Sequence, residues 1–555
     1  METPQAHPRV IQGVRRRALL KAGLAAGVTL SAWPLRRPQG LWAAEAEAGQ
    51  PKRGGILRVR GYDPVHFDHH LTVNFKTNTT LSFTHSRLVR HKVGAGVQPG
   101  TFVVEPDLAE RWEEPDDTTV VFHLRQGVKW HNKPPLNGRE LVAQDVKFTF
   151  DRFLAEKGNQ DRELLESVDR LEVVDRYTVK FLLKAPYVWL VNTLAYPRSM
   201  WIIAPEVVDT FGDLKKAEAT IGTGPFLLER YEPNVKTVFK RNPDYFRTGQ
   251  PWVDGVEWLV LDDPSSGLAM YRSGQLDCGP WGQWSVRQQD LDAMKKSHPH
   301  LMYQDVLNIN TANIGLRADQ APFNDVRVRR AVSQAIDRQG LIEAVYLRGA
   351  PSPAVAPGLA EWALPIDQLG EGAKYYQHNP QEARRLLAEA GFPKGFKTLL
   401  NTSGGWGPDF VDAAQLVQRD LKDVGIEAEL KIQEYGAFFA TTAQGKFEGM
   451  AMGPGAPAWE PDFILEAYRA DSPRNTGYVN DPKLTAMVQE QRRTKDLEAR
   501  KKIIFDIQRL VAEQQYRINL ISAMTTGSWQ PYVKNYAVNQ TFDYGSRAAA
   551  LWLER

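Results

Sequence analysis

The densest cluster of metal-ligating or solvating groups in the chain is Asp63-Pro64-Val65-His66-Phe67-Asp68-His69-His70. Its three imidazoles and two carboxylates would suit a transition ion if His66, His69 and His70 converged. The same residue types serve for solvation or for hydrogen bonding to a solute, and no metal is expected. The sole cysteine, Cys278, has no histidine near it in sequence and reads as a small apolar residue, not a nucleophile. Trp281 and Trp284 lie three residues apart, so a helix would bring both to one face, as core or as the wall of a cleft. Gly453-Pro454-Gly455-Ala456-Pro457-Ala458 has the spacing of a dinucleotide fingerprint, but two prolines break the required turn into a helix. There is no Gly-x-Ser-x-Gly elbow, His-Glu-x-x-His helix, phosphate loop or metal-spaced cysteine pair. A carboxylate pair for glycoside hydrolysis stays open in a chain this rich in Asp and Glu, and no cofactor is expected.

These groups must be positioned by a large body. The 555 residues exceed what one core supports, so two or three domains are expected. Strand patterns occur at Ile56 to Arg60, Thr118 to Leu124, Tyr177 to Phe181 and Val256 to Leu261. Asn379-Pro380 opens a helix that closes at Gly391, and Asp481-Pro482 opens a long helical region reaching about Glu513. Strands alternate with helices throughout, which is an α/β reading. A formal charge of +3 argues against a nucleic-acid partner. At the N-terminus, Arg15-Arg16-Arg17-Ala18-Leu19-Leu20-Lys21 precedes a short apolar run rich in Gly and Ala, the pattern of a twin-arginine export signal. Residues 1–46 are therefore read as a signal peptide that meets the Tat translocon. With no cysteine near the cleavage region, a lipid anchor is not expected, and the periplasm is the expected destination.

Between residues 107 and 152 the chain reads Asp107-Leu108-Ala109-Glu110-Arg111-Trp112, Val121 to His131, and Ala143-Gln144-Asp145-Val146-Lys147-Phe148-Thr149-Phe150-Asp151-Arg152. Gly222-Thr223-Gly224-Pro225-Phe226, Arg241-Asn242-Pro243-Asp244-Tyr245 and Pro322 to Arg338 follow in order. This series closely resembles the family 5 solute-binding proteins of ABC importers, the group containing dipeptide, oligopeptide and nickel binders. The resemblance implies a periplasmic-binding-protein-like fold with two α/β lobes, two crossing segments and a subdomain inserted in the first lobe. On that template 52–88, 201–305 and 515–555 form lobe I, 89–200 the inserted subdomain and 306–514 lobe II. The crossings fall near Val306 to Asn310 and Glu513 to Ile518. The implied function is capture of a solute, peptide or peptide-like, by lobe closure, and delivery by a monomer to an inner-membrane permease with ATPase subunits. An oligosaccharide, an opine-type conjugate or a metal chelate are the alternatives, and a periplasmic hydrolase is the rival class.

Loops that face the cleft in this family make His66, Asp68, Trp281 and Trp284 candidate ligand-binding residues; Trp406, on a glycine-rich strand-to-helix loop, and Tyr435, after another strand, are candidates from their own sequence context. Peptide-binding members hold the peptide amine with an aspartate in a Gly-Trp-x-x-Asp loop shortly before an Asp-Pro pair. Here Pro454 and Pro457 stand in place of that Trp and Asp if Glu460-Pro461 matches the Asp-Pro. That departure weighs against a free-amine anchor. Trp459 and Glu460 are the substitute candidates, with a helix cap as the competing role for Glu460.

Overall fold

The computed structural model describes residues 49–555 except 160, 262, 280–285, 456–457 and 539. The export signal read at 1–46 lies outside the described residues, as do Trp281, Trp284 and Pro457.

Three sheets organise the body. In the first, Ile56–Gly61 pairs in parallel with Gly255–Val260, which continues antiparallel to Lys236–Arg241 and then Phe226–Glu232. Its core of Leu57, Val59, Phe83, Phe239 and Trp258 is completed by Val533, Leu551 and Leu553 from the far end of the chain. A second, antiparallel sheet joins Ala109–Asp116, Thr119–Leu124, Thr178–Leu183 and Val168–Asp175 under the helix Ala143–Ala155. That helix starts where the sequence places it because Asp145 turns back to accept the Val142 N–H at 3.0 Å.

The third sheet carries the crossings. Ala312–Leu316 pairs with the long strand Arg517–Trp529 over residues 517–521, and Met302–Leu307 pairs with the same strand over 524–529. One strand thus pairs with both neighbours in turn, and Asn308 to Thr311 link those two neighbours. Gln515 ends the preceding helix in a left-handed conformation, the chain is strand from Arg517, and Ser522 and Ala523 separate the two pairings. The helical region from Pro482 is two helices, Pro482–Arg493 and Leu497–Gln514. Thr494 is extended there, and Asp496 caps the second helix through the Ala499 N–H at 2.7 Å.

Gly222 and Gly224 seat the first sheet on the segment that follows the helix Phe75–Leu81. A Cβ at Gly224 would fall 2.4 Å from the Thr84 carbonyl carbon and 2.6 Å from the His85 nitrogen. His131 holds the same turn: its Nδ1 accepts the Gly222 N–H at 3.3 Å, and its Nε2 donates to the Gly224 carbonyl at 3.2 Å. Among the described residues no helix is long and apolar enough to cross a membrane.

Candidate functional site

A cleft of about 1720 Å³ opens beside the crossing strands. Its floor is polar: Asn310, Thr311 and Asn313 come from the outward crossing, and Arg517 and Asn519 from the returning strand. Asn313 and Asn519 face each other across the antiparallel pair. Tyr62, Phe75, Phe542 and Tyr544 bring aromatic surface from the side of the first sheet, and Trp406, Tyr435, Phe463 and Tyr468 from the other.

Trp406 sits on a tight strand-to-helix loop. Ser403 accepts the Gly405 N–H, and Gly407 takes φ 102°, a conformation suited to glycine, before Pro408 starts the next helix. The indole packs edge-on against Phe438 at 4.8 Å and Tyr435 at 6.0 Å, which fixes its orientation while one border remains on the cleft. Tyr435 opens the helix Tyr435–Ala440, capped by Glu434 through the Ala437 N–H. Burial pushes the Tyr435 phenol up from its ordinary value.

Around Phe463 the cleft lining is an ion network, with Arg474 stacked 4.0 Å from the ring. Arg198 pairs with Asp161, whose side chain is fully buried, and Arg474 with Glu163 at 2.5 Å. Glu166 receives Arg469 at 2.8 Å and Arg492 at 2.5 Å, so segments 161–166 and 469–492 are tied together along one side of the cleft. Burial works against ionisation of Glu166, but the two guanidiniums outweigh it and hold the carboxyl below its usual range.

Trp406 and Tyr435 therefore share the cleft, whereas the other described candidates have structural occupations. Asp68 is fully buried and forms a two-point pair with Arg152, at 2.6 and 3.2 Å, besides accepting the His70 N–H. His66 turns its Nδ1 to the Asp68 N–H. His69 reaches the Trp201 carbonyl and His70 the Arg152 guanidinium, so the three imidazoles point to different partners. Among the described residues no group of His, Cys, Asp or Glu is arranged to hold a metal ion. Trp459 is buried against Tyr196 at 4.3 Å, and Glu460 pairs with the fully buried Arg500 while capping the helix Pro461–Leu465 through the Asp462 N–H at 2.7 Å. The cap role considered for Glu460 is the one it performs. Burial raises the Glu460 carboxyl to about 7 despite Arg500. Cys278 is fully buried, and burial pushes its thiol well up.

Arg517, Asn313 and Asn519 escape a search for sequence motifs. Their signal is the alternation Arg517-Ile518-Asn519-Leu520, polar residues at every second position of a strand with buried apolar neighbours between them, which marks one polar face of the sheet.

The profile of the bacterial extracellular solute-binding proteins, family 5, matches residues 103–476. The chain belongs to this family. It is 28% identical over 483 residues to the di/tripeptide-binding protein 1 of Pseudomonas aeruginosa, covering 82% of this chain and 85% of that one. The dipeptide-binding protein of Escherichia coli is 28% identical over 404 residues, 68% of this chain and 71% of its own. In structure the chain resembles the Helicobacter pylori periplasmic binding protein solved with the peptide STSA, with a TM-score of 0.77, 22% identity, and 91% and 99% of the two chains covered. It also resembles an Agrobacterium tumefaciens binding protein solved with agropinic acid, with a TM-score of 0.76, 24% identity, and 90% and 99% covered. The fold is that of the two-lobed periplasmic binding proteins.

Proposed function

We propose that this chain is the periplasmic substrate-binding component of an ABC importer and that it captures a peptide or peptide-like solute between its lobes. The observation that carries the reading is the cleft itself. At about 1720 Å³ it exceeds the roughly 300–1,000 Å³ of most small-ligand sites, which leaves room for a chain of several residues with its bound water. Its polar floor suits backbone amides, and its aromatic walls suit side chains of varied shape. The relatives named as di- and tripeptide binders support the same solute class.

The mechanism is capture without bond chemistry. The crossing strands act as the hinge, the ligand gains contacts on both walls only when the lobes approach, and this differential affinity favours the closed form. The closed protein then docks on the permease, whose ATPase subunits drive import. No reaction is assigned: the buried Cys278 lacks an activating partner, and the carboxylates of the cleft wall are engaged by arginines. The twin-arginine leader fits export of a folded, disulfide-free monomer. Uptake of labelled di- and tripeptides by a deletion strain and its complemented parent tests the proposal. Lost uptake on deletion supports it, and unchanged uptake of these peptides overturns the peptide assignment.

A further inference from the structure

We propose that Arg517, supported by Asn313 and Asn519, forms an anion subsite that takes a carboxylate of the captured solute. This assignment rests on the solute-capture reading above and names a chemical feature the solute must carry.

Arg517 lies at the start of the returning strand, half-buried in the cleft floor. Two residues on, Asn519 presents on the same face, and Asn313 stands opposite it on the neighbouring strand. The guanidinium makes a single contact, to the Asn313 Oδ1 at 3.5 Å. Asn313 is held for this by its own Nδ2, which donates to the Thr311 carbonyl at 3.2 Å. Among the described residues no carboxylate lies within ion-pair distance of Arg517, a partly exposed residue of the cleft lining.

The other cleft cations differ. Arg198 and Arg474 are neutralised by Asp161 and Glu163. Arg60 donates to the Leu261 carbonyl and Lys184 to that of Glu166. Eight Lys and Arg against four Asp and Glu line the cleft, so its field favours an anion, and Arg517 is the cation that stands in the polar floor between Asn313 and Asn519. A half-buried guanidinium loses hydration without regaining it from the protein, and its planar fork matches a carboxylate with two parallel hydrogen bonds. Tyr468 stands close enough for the Arg517 charge to oppose the rise that burial imposes on its phenol.

The test is isothermal titration of the full mature protein with Ala-Phe-Ala as free acid and as C-terminal amide, on wild type, Arg517→Gln and Arg517→Lys. The wild type is expected to prefer the acid at least tenfold. Arg517→Gln should bring the two within threefold, and Arg517→Lys, which keeps the charge without the fork, should fall between. Unchanged thermal unfolding of the unliganded variants shows that the fold is retained. If the peptide binds and the wild type shows no preference, or Arg517→Gln keeps it, the subsite is overturned while solute capture stands. If neither form binds the wild type, the peptide reading falls, and the subsite for a peptide carboxylate falls with it.

Discussion

Five imidazoles, His69, His70, His85, His91 and His131, are fully buried or nearly so, and burial lowers each below its ordinary value of 6.5. His69 and His131 come down to about 4 and His91 to about 3. The cause at His131 is visible: protonation would turn its Nδ1 from an acceptor of the Gly222 N–H into a second donor facing that donor. A base whose folded pKa is depressed contributes stability that is present above 6.5 and lost as pH falls toward the folded value. Glu460 and Glu466 act in the opposite sense. Burial raises them to about 7 and about 8, so between those values and 4.5 they add stability as pH falls. Two carboxyls thus offset two imidazoles. The remaining three imidazoles cost about 4 kcal/mol per pH unit below 6.5, or about 6 kcal/mol by pH 5. Against a total stability of roughly 5–15 kcal/mol, the protein should unfold between about pH 5 and pH 4. Urea titrations followed by circular dichroism at pH 7, 6, 5 and 4.5 give the slope. His131→Gln, which retains an acceptor and a donor, should flatten it by one proton, about 1.4 kcal/mol per pH unit. Full stability at pH 4, or a slope indifferent to His131→Gln, would refute the reasoning.

Three further outcomes are expected. Asp161→Ala removes the ion-pair partner of the buried Arg198 and should cost about 3–5 kcal/mol of unfolding free energy by urea denaturation; a loss below about 1 kcal/mol would mean that solvent already reaches this pair. Gly224→Ala drives a methyl to 2.4 Å from the Thr84 backbone and should lower thermal stability sharply, whereas Gly127→Ala, with open space around its Cβ but φ at 73°, should cost only about 1 kcal/mol. Trp406→Phe keeps an aromatic ring among Phe438, Tyr435 and Phe410 but shortens its border on the cleft. Peptide affinity by calorimetry should drop roughly 2–10-fold while the melting temperature changes little.

Much of the scaffold was legible because local rules operate locally. Asn379 caps the helix Pro380–Glu389, Gly391 follows it at φ 94°, and Asp145 accepts the Val142 N–H at the start of its own helix. Nothing in residues 513–518 alone announces that the strand Arg517–Trp529 changes partner midway. The site was less legible. Asp68, Trp459 and Glu460 have the chemistry of ligand contacts, but their engagement by Arg152, Tyr196 and Arg500 depends on partners 40 to 263 positions away. Arg517 shows the converse, since its importance comes from a carboxylate that is not there.

Native mass spectrometry of the mature protein, isolated from the periplasm without denaturation, tests the central claim most directly. The account predicts a one-to-one complex with a small carboxylate-bearing solute, released when the pH is lowered enough to unfold the lobes. A bare chain in every preparation, together with no heat of binding from di- and tripeptide mixtures, would contradict it.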